Sequence, residues 1–210
     1  MPKDILGIDF ETYSDLDLKK VASSRYSRHR STEVLMGAFE FNDSGNVEQW
    51  DAAGGQPMPK IVAEALVDDQ CEKWAWNASF EIQITQNALK IPTVIEQWKD
   101  TMVMAMSCSL PGALDKAGPI INLDDDHLKD KEGKRLIRKF SMRKKSQRKA
   151  TKGQMLRTFW YEDVADYEKY LAYNRKDVLS EGAIRRRLRQ FDSMSEEEWD
   201  LWHVDQRINM

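Results

Sequence analysis

Two carboxylates stand two residues apart near the amino terminus, at Asp9 and Glu11. Apolar residues alternate with them, which predicts a β-strand from Ile5 to Thr12 with both acids on one face. At roughly 7 Å along the backbone the two charges repel each other. Oxygen ligands of this kind suit Mg²⁺ or Mn²⁺, which would relieve the repulsion. Two solvated acids at an exposed strand end are the competing interpretation.

Two further pairs of side chains have the four-residue spacing that places them on one face of a helix. Asn77 and Glu81 directly follow an apolar stretch, 71–76, that is typical of a central strand. Tyr173 and Asp177 lie within a long predicted helix. If the central strand pairs with the first strand, all four acids converge. The structural alternatives are a helix cap for Asn77, a core aromatic for Tyr173 and surface acids.

The remaining patterns predict an α/β protein whose sheet carries these groups. Alternating residues predict two more strands, 33–42 and 47–51, which form an antiparallel meander with the first. Strands and helices then alternate along the chain. The predicted fold is a mixed five-stranded sheet, three antiparallel strands followed by parallel ones, flanked by helices.

Two helices are predicted after residue 160. The first runs from Glu162 to Phe191, and apolar spacing marks the candidates for its packed face. These candidates are Val164, Tyr167, Tyr170, Leu171 and Val178. Ser195 and Glu198 form a capping box for a last helix, whose apolar side chains need a surface to pack on. Those side chains are Trp199, Trp202 and Ile208.

Length and composition indicate one folded domain with an appendage. The 210 residues are 41% hydrophobic, which is ordinary for a globular chain. We expect a cytoplasmic location and no membrane partner, because the apolar runs are short and the first residues lack the apolar core of a signal peptide. Cys71 and Cys108 have no metal-ligand spacing and are expected to be small buried side chains.

The net charge of −3 hides a strongly basic segment at residues 128–152. This segment holds twelve Lys and Arg against two acids, which leaves a charge of −13 for the rest. Such asymmetry predicts a polyanionic partner and mobility in its absence, whereas a solvated loop without a partner is the alternative. Five of its side chains are candidate contacts to a nucleic-acid backbone. They are Arg143, Lys144, Lys145, Arg148 and Lys149.

Three motifs occur in this order: Asp9-Phe10-Glu11, Asn77-x-x-Phe80-Glu81 and Tyr173-x-x-x-Asp177. Together they resemble the motifs of the DEDD (DnaQ-like) superfamily of 3'-5' exonucleases. The tyrosine subtype fits, since the histidine subtype would need His at the position of Ala172. One departure is Glu81, where the family commonly has Asp.

The resemblance extends to the proofreading domains of bacteriophage-type family A DNA polymerases and covers nearly the whole chain. The segments that carry it are DFETYSDLDLKKV, QWKDTMVMA, GALDKAG, GKRLIRKF and DLWHVDQRIN. It implies one exonuclease domain at 1–191 and a C-terminal helix at 192–210 that leads toward a polymerase module. The expected partners are DNA 3' ends, single-stranded or frayed, and a DNA polymerase in cis or in trans.

The resemblance also implies an RNase H-like fold and two Mg²⁺ or Mn²⁺ ions that act in hydrolysis of the terminal phosphodiester to nucleoside 5'-monophosphates. Asp9 would bridge the ions, and Glu11 and Asp177 would complete the site that activates water. Glu81 would support the second ion, and Tyr173 would orient the attacking water.

The candidate substrate contacts implied near these acids are Phe10, Thr12, Asn77 and Phe80. Two other functions remain open. An RNA 3' exonuclease of the same fold would use the same acids. A catalytically inactive module that binds DNA or scaffolds a polymerase would bind without releasing nucleotides, and Glu81 would then mark decay of the site.

Overall fold

A five-stranded mixed sheet forms the centre of the protein, whose computed structural model describes residues 4–123, 132–144, 157–191 and 193–210. The strands are β1 (Ile5–Tyr13), β2 (Glu33–Phe41), β3 (Val47–Trp50), β4 (Glu72–Ala75) and β5 (Trp98–Asp100). Their order across the sheet is β3-β2-β1-β4-β5. The first three are antiparallel neighbours, while β4 runs parallel to β1 and β5 parallel to β4. The predicted fold class is therefore confirmed.

Helices flank this sheet. They are α1 (Ser23–Ser27), α2 (Lys60–Val67), α3 (Ala78–Gln83), α4 (Thr101–Ser107), α5 (Leu114–Ile120), α6 (Gly133–Phe140), α7 (Val164–Leu188) and α8 (Glu196–Asn209). A π-helical turn, Ile84–Ala88, continues α3, and short 3₁₀ turns lie at Ile95–Gln97, Trp160–Glu162 and Arg189–Phe191. The long helix predicted from 162 to 191 is thus α7 with a 3₁₀ turn at each end.

Strand β1 lies at the centre of the sheet and carries the acid pair. Asp9 is paired with Ala38 of β2, and Glu11 is paired with Met36. The register shifts between Glu11 and Thr12. Such an irregularity bends a strand and changes the direction of its side chains, and it often lies beside an active site.

The packed face of α7 was predicted largely correctly. Tyr167, Tyr170 and Val178 are buried, but Leu171 is only half-buried and Val164 is 47% exposed. Val164 and Leu171 are seven residues apart and therefore share one angular position, at the edge of the buried stripe. The prediction for Val164 is wrong for this reason.

Helix α8 begins with the predicted capping box between Ser195 and Glu198. Trp199 and Trp202 are buried, and the Trp199 ring meets that of Trp74 edge to face, with centroids 5.8 Å apart. The prediction for Ile208 is wrong, since this side chain is 76% exposed. Six residues beyond Trp202, it lies roughly 240° further around the helix and faces away from the core.

Other predictions concern the cysteines and membrane spans. Cys71 is buried, whereas Cys108 is only half-buried. Within the described ranges, no helix has both the length and the apolar character that crossing a bilayer requires.

Candidate active site

An acidic cluster forms where α7 crosses the sheet beside β1. Asp9, Glu11 and Asp177 each direct a carboxylate oxygen into it, and these oxygens lie within 4.8 Å of one another. The strand period places the first two on one face, and the packing of α7 on β1 brings the third. Three carboxylates at this separation are a ligand set that suits Mg²⁺ or Mn²⁺, because such hard cations prefer oxygen ligands.

Glu81 lies outside this group of three but close enough for the charge of Asp9 to act on it. Its side chain is on α3 and is 2% exposed. Burial, followed by the negative charge of Asp9, raises the pKa of Glu81 well above its usual value. Its Oε2 atom has no hydrogen-bond partner among the residues that the structure describes. A buried carboxylate with an oxygen that accepts no hydrogen bond lowers the stability of the fold unless a cation lies nearby.

The phenol of Tyr173 is buried beside the acidic cluster. Burial, followed by the charges of Asp177 and Glu11, raises the pKa of Tyr173 above its usual value of 10. The hydroxyl group therefore keeps its proton at neutral pH and donates a hydrogen bond to Asp177.

Two other residues of α7 bind the acidic cluster and were not predicted as site residues. The Tyr170 hydroxyl donates a hydrogen bond of 2.5 Å to Glu11 Oε2, and Asn174 Nδ2 donates one of 2.6 Å to Asp9 Oδ2. The same helical spacing that predicted a shared face for Tyr173 could have found them. Tyr170 was predicted only as a core aromatic, and Asn174 was not singled out.

Asp100 accepts hydrogen bonds from the backbone at the start of both α3 and α4. It caps α4 by accepting a hydrogen bond from the backbone amide of Met102. The same carboxylate accepts hydrogen bonds of 3.0 Å from the backbone amides of Asn77 and Ala78. Burial raises the pKa of Asp100 to about 6, against the opposing effect of these bonds.

Asn77 occupies the N-cap position of α3 in the left-handed conformation, with φ of 66°. The residue is thus a helix cap by position, as the structural alternative expected, but its exposed side chain makes no capping hydrogen bond. The residue stands one helical turn before Glu81 and its side chain is open to a ligand.

A cavity of about 300 Å³ opens beside Glu11. Three predicted substrate contacts, Phe10, Thr12 and Phe80, line it together with Tyr26. Phe10 is buried in the core and forms a wall of the cavity, whereas Phe80 is half-buried, with its ring centroid 6.0 Å from that of Tyr26. The Tyr26 hydroxyl shares a hydrogen bond of 2.9 Å with Thr12. The cavity is therefore apolar, with the acidic cluster beside it.

Comparison with solved structures identifies this arrangement of sheet and helices. The structure superposes on Escherichia coli RNase D with a TM-score of 0.57 at 14% identity, over 98% of this chain and 44% of that one. It superposes on Brucella melitensis NrnC with a TM-score of 0.54 at 14% identity, over 98% of this chain and 82% of that one. The chain has the fold of these nucleases. A further structure of the Brucella protein contains bound Mg²⁺.

A relative is also found by sequence. The chain is 36% identical over 204 residues to a DNA polymerase of Bacillus phage SP02. The alignment covers 97% of this chain but 31% of the polymerase, so the chain spans about a third of the length of that relative. No protein-family model matches the chain.

Ion pairs connect α6 to the start of α7. Arg135 Nη1 lies 2.5 Å from Asp166 Oδ2, and Lys139 binds Asp163 and Asp166. The chain after α6 carries Arg143 and Lys144, and both are exposed. Of the 25 residues of the basic segment, 12 lie outside the described residues. The other predicted backbone contacts also lie there. They are Lys145, Arg148 and Lys149.

Proposed function

We propose that this chain is a metal-dependent 3'-5' exonuclease of the tyrosine subtype of the DEDD superfamily, which hydrolyses DNA from its 3' end to nucleoside 5'-monophosphates. The observation that carries the proposal is the convergence of Asp9, Glu11 and Asp177 from two distant elements, with their carboxylate oxygens within 4.8 Å. The sequence similarity to a phage DNA polymerase favours DNA as substrate and proofreading as the role.

The residues fit a divalent metal site. Asp9, Glu11 and Asp177 would hold Mg²⁺ or Mn²⁺, and the buried Glu81 would support a second ion. Two such ions would activate a water molecule and neutralise charge on the attacked phosphate and on the leaving oxygen. Their positive charge would also stabilise the ionised form of Glu81, whose pKa is raised by burial and by Asp9.

Tyr173 would position the attacking water. Its hydroxyl stays protonated, because burial and the neighbouring acids raise its pKa. A protonated phenol can hold a water molecule by hydrogen bonding but cannot remove its proton. The role of this residue is therefore orientation, and loss of the hydroxyl should lower turnover more than substrate affinity.

The cavity beside Glu11 would receive the 3'-terminal nucleotide. Phe80 is half-buried at its edge and would stack on the base, while Phe10 and Thr12 would form the wall. Stacking of a base on an aromatic ring is worth about 1–3 kcal/mol, which helps to hold a frayed strand away from its complement. Asn77 would contact the substrate from the N-terminus of α3.

Helix α8 would connect the exonuclease domain, residues 1–191, to a polymerase module in cis or form its contact surface in trans. Three exposed apolar side chains at spacings of three and four residues support this proposal. They are Leu201, Val204 and Ile208. Such a stripe on one face of a helix is typical of a surface that packs on a partner.

RNA is the second candidate substrate, favoured by the fold shared with RNase D, which is described as an exoribonuclease involved in structured RNA processing. DNA and RNA single strands of matched sequence, labelled at the 5' end, separate the two when each is incubated with Mg²⁺, Mn²⁺ or a chelator. We expect a ladder that shortens from the 3' end of DNA only when metal is present.

Asp177→Asn is the control, since it removes one charge from the acidic cluster at nearly constant volume. It should leave the labelled strand intact. A protein that binds DNA but shortens neither strand in either metal would instead be the inactive binding module.

A further inference from the structure

Helix α7 presents four polar side chains to the sheet along one face. Tyr170, Tyr173, Asn174 and Asp177 follow each other at spacings of three, one and three residues, so all four lie on one side of the helix. Two of them, Tyr173 and Asp177, already belong to the proposed mechanism. The other two are uncharged hydrogen-bond donors, and each is bonded to a different carboxylate of β1.

The side chain of Asn174 donates hydrogen bonds to both the backbone and the side chain of Asp9. Its Nδ2 atom donates to Asp9 Oδ2 over 2.6 Å and to the Asp9 carbonyl over 3.2 Å, and the side chain is fully buried. Gln49 of β3 donates to Asn174 Oδ1 over 2.9 Å. Because this bond occupies the amide oxygen, the amide nitrogen must face Asp9. The hydrogen bond from Gln49 thus fixes the orientation of the Asn174 amide.

Tyr170 holds Glu11 in a similar way. Its hydroxyl donates to Glu11 Oε2 over 2.5 Å and shares a second hydrogen bond, of 2.6 Å, with Ser141. The phenol is the donor in the bond to Glu11, because the carboxylate oxygen accepts. Ser141 directly follows α6. Hydrogen bonds therefore connect the end of α6, through Tyr170, to Glu11 on β1.

We infer that Tyr170 and Asn174 are positioning residues that fix the two β1 carboxylates in the geometry required for metal binding. Each donor bonds to one oxygen of its carboxylate, which has about four lone-pair sites, so ligand capacity remains. An uncharged donor fixes the direction of the side chain without neutralising it. The attraction of the acidic cluster for a cation is therefore kept, and less rotamer freedom is lost when the ion binds.

The inference rests on the proposed function, and its test measures metal binding directly. Isothermal titration calorimetry with Mn²⁺ compares the wild-type protein with Tyr170→Phe and Asn174→Leu. We expect each variant to raise the Kd for Mn²⁺ by about 10-fold or more, the usual effect of losing a partner behind a metal ligand.

Tyr167→Phe is the matched control one turn earlier on α7. Its hydroxyl also bonds to a carboxylate, Asp51 Oδ1 at 2.7 Å, but that acid lies outside the acidic cluster. The control loses the same kind of buried bond and should be destabilised similarly, while its Kd for Mn²⁺ stays at the wild-type value. If a general loss of stability were the cause, the Kd for Mn²⁺ would rise in all three variants.

Nuclease assays over a range of Mn²⁺ concentrations give the second readout. The concentration for half-maximal activity should rise by the same factor as the Kd, and kcat at saturating Mn²⁺ should return close to the wild-type value. An unchanged Kd in folded Tyr170→Phe overturns the positioning role while the proposed function stands. A wild-type protein that binds no Mn²⁺ overturns both. Should Asn174→Leu lose its helical circular dichroism, Gln49→Ala replaces it.

Discussion

Gly133, the first residue of α6, faces the ring of Tyr173 so closely that a methyl group on its α-carbon would lie 1.9 Å from Cε2. No side chain can occupy that space, so glycine allows the backbone of α6 to approach the phenol. The start of α6 is therefore in direct contact with the Tyr173 ring. Any change that moves one of them must move the other.

Gly133→Ala should lower kcat with little change in the Kd for Mn²⁺. The added Cβ forces either the Tyr173 ring or the start of α6 to shift. Asp9 and Glu11 keep the hydrogen bonds from Asn174 and Tyr170 that position them. Single-turnover cleavage of a labelled oligonucleotide, together with calorimetric titration of Mn²⁺, measures the two quantities separately.

The control for this substitution is Gly112→Ala. The three atoms nearest to a Cβ at this position belong to the flexible side chains of Met102 and Met106, at 3.2 Å or more. Turnover should be unaffected. Equal turnover in Gly133→Ala and the wild-type protein would show that the position of Tyr173 does not control the reaction.

Divalent metal should stabilise the wild-type protein against heat and have no such effect on Asp9→Ala. A ligand that binds only the folded state at 100 times its Kd contributes about 2.7 kcal/mol to the free energy of unfolding. Differential scanning calorimetry with Mn²⁺ and with chelator measures the shift in Tm.

In chelator, Asp9→Ala should be about as stable as the wild-type protein, within ~1 kcal/mol. The variant loses the hydrogen bond from Asn174 to the carboxylate, but repulsion among the acids is relieved and the backbone bond to Asn174 remains. Its nuclease activity should fall below detection. An active Asp9→Ala protein would contradict the assignment of the site.

Glu81→Gln should stabilise the metal-free protein at pH 8 while abolishing most of its activity. The pKa of Glu81 is raised above its usual value of 4.5, so the folded state holds this proton more tightly than the unfolded state does. The wild-type free energy of unfolding therefore falls as the pH rises through the folded pKa. Glutamine has no proton to lose, so the variant lacks this fall.

Urea unfolding in chelator at a series of pH values measures this effect. The gain in stability should be largest at pH 8 and should shrink toward zero as the pH approaches about 4.5. Glu64→Gln, at an exposed position on α2, serves as the control and should show no such pH-dependent gain. A variant that is no more stable than the wild-type protein at pH 8 would contradict the effect of burial on Glu81.

Neutralising the basic segment should weaken DNA binding and flatten its dependence on salt. The variant replaces five residues by Gln: Arg143, Lys144, Lys145, Arg148 and Lys149. Each side chain that contacts a phosphate of single-stranded DNA contributes about 0.7 to the slope of log K against log salt concentration. Fluorescence anisotropy of a labelled oligonucleotide in chelator, from low to high salt, measures that slope.

Lys60→Gln removes an exposed charge from α2, outside the basic segment, and should leave the slope unchanged. An identical slope in the fivefold variant and the wild-type protein would mean that the basic segment does not contact the DNA backbone.

Local patterns were sufficient for much of the fold. Alternation placed Asp9 and Glu11 on one strand face, and the capping box of Ser195 and Glu198 marked the start of α8. These features depend on neighbours two to four residues apart, which a sequence shows directly. The same reasoning misjudged Val164 and Ile208, because periodicity gives a direction around a helix but not the width of the surface that covers it.

The sequence by itself therefore determined which acids share a face and which element carries each of them. Only the tertiary structure decided that Asn174 bonds to Asp9 and Tyr170 to Glu11, and that Gly133 packs on Tyr173. The physical reason is that these contacts join residues far apart in the chain. They depend on how α7 is rotated and shifted against β1 and α6, which is set by the packing of the whole core rather than by any local spacing.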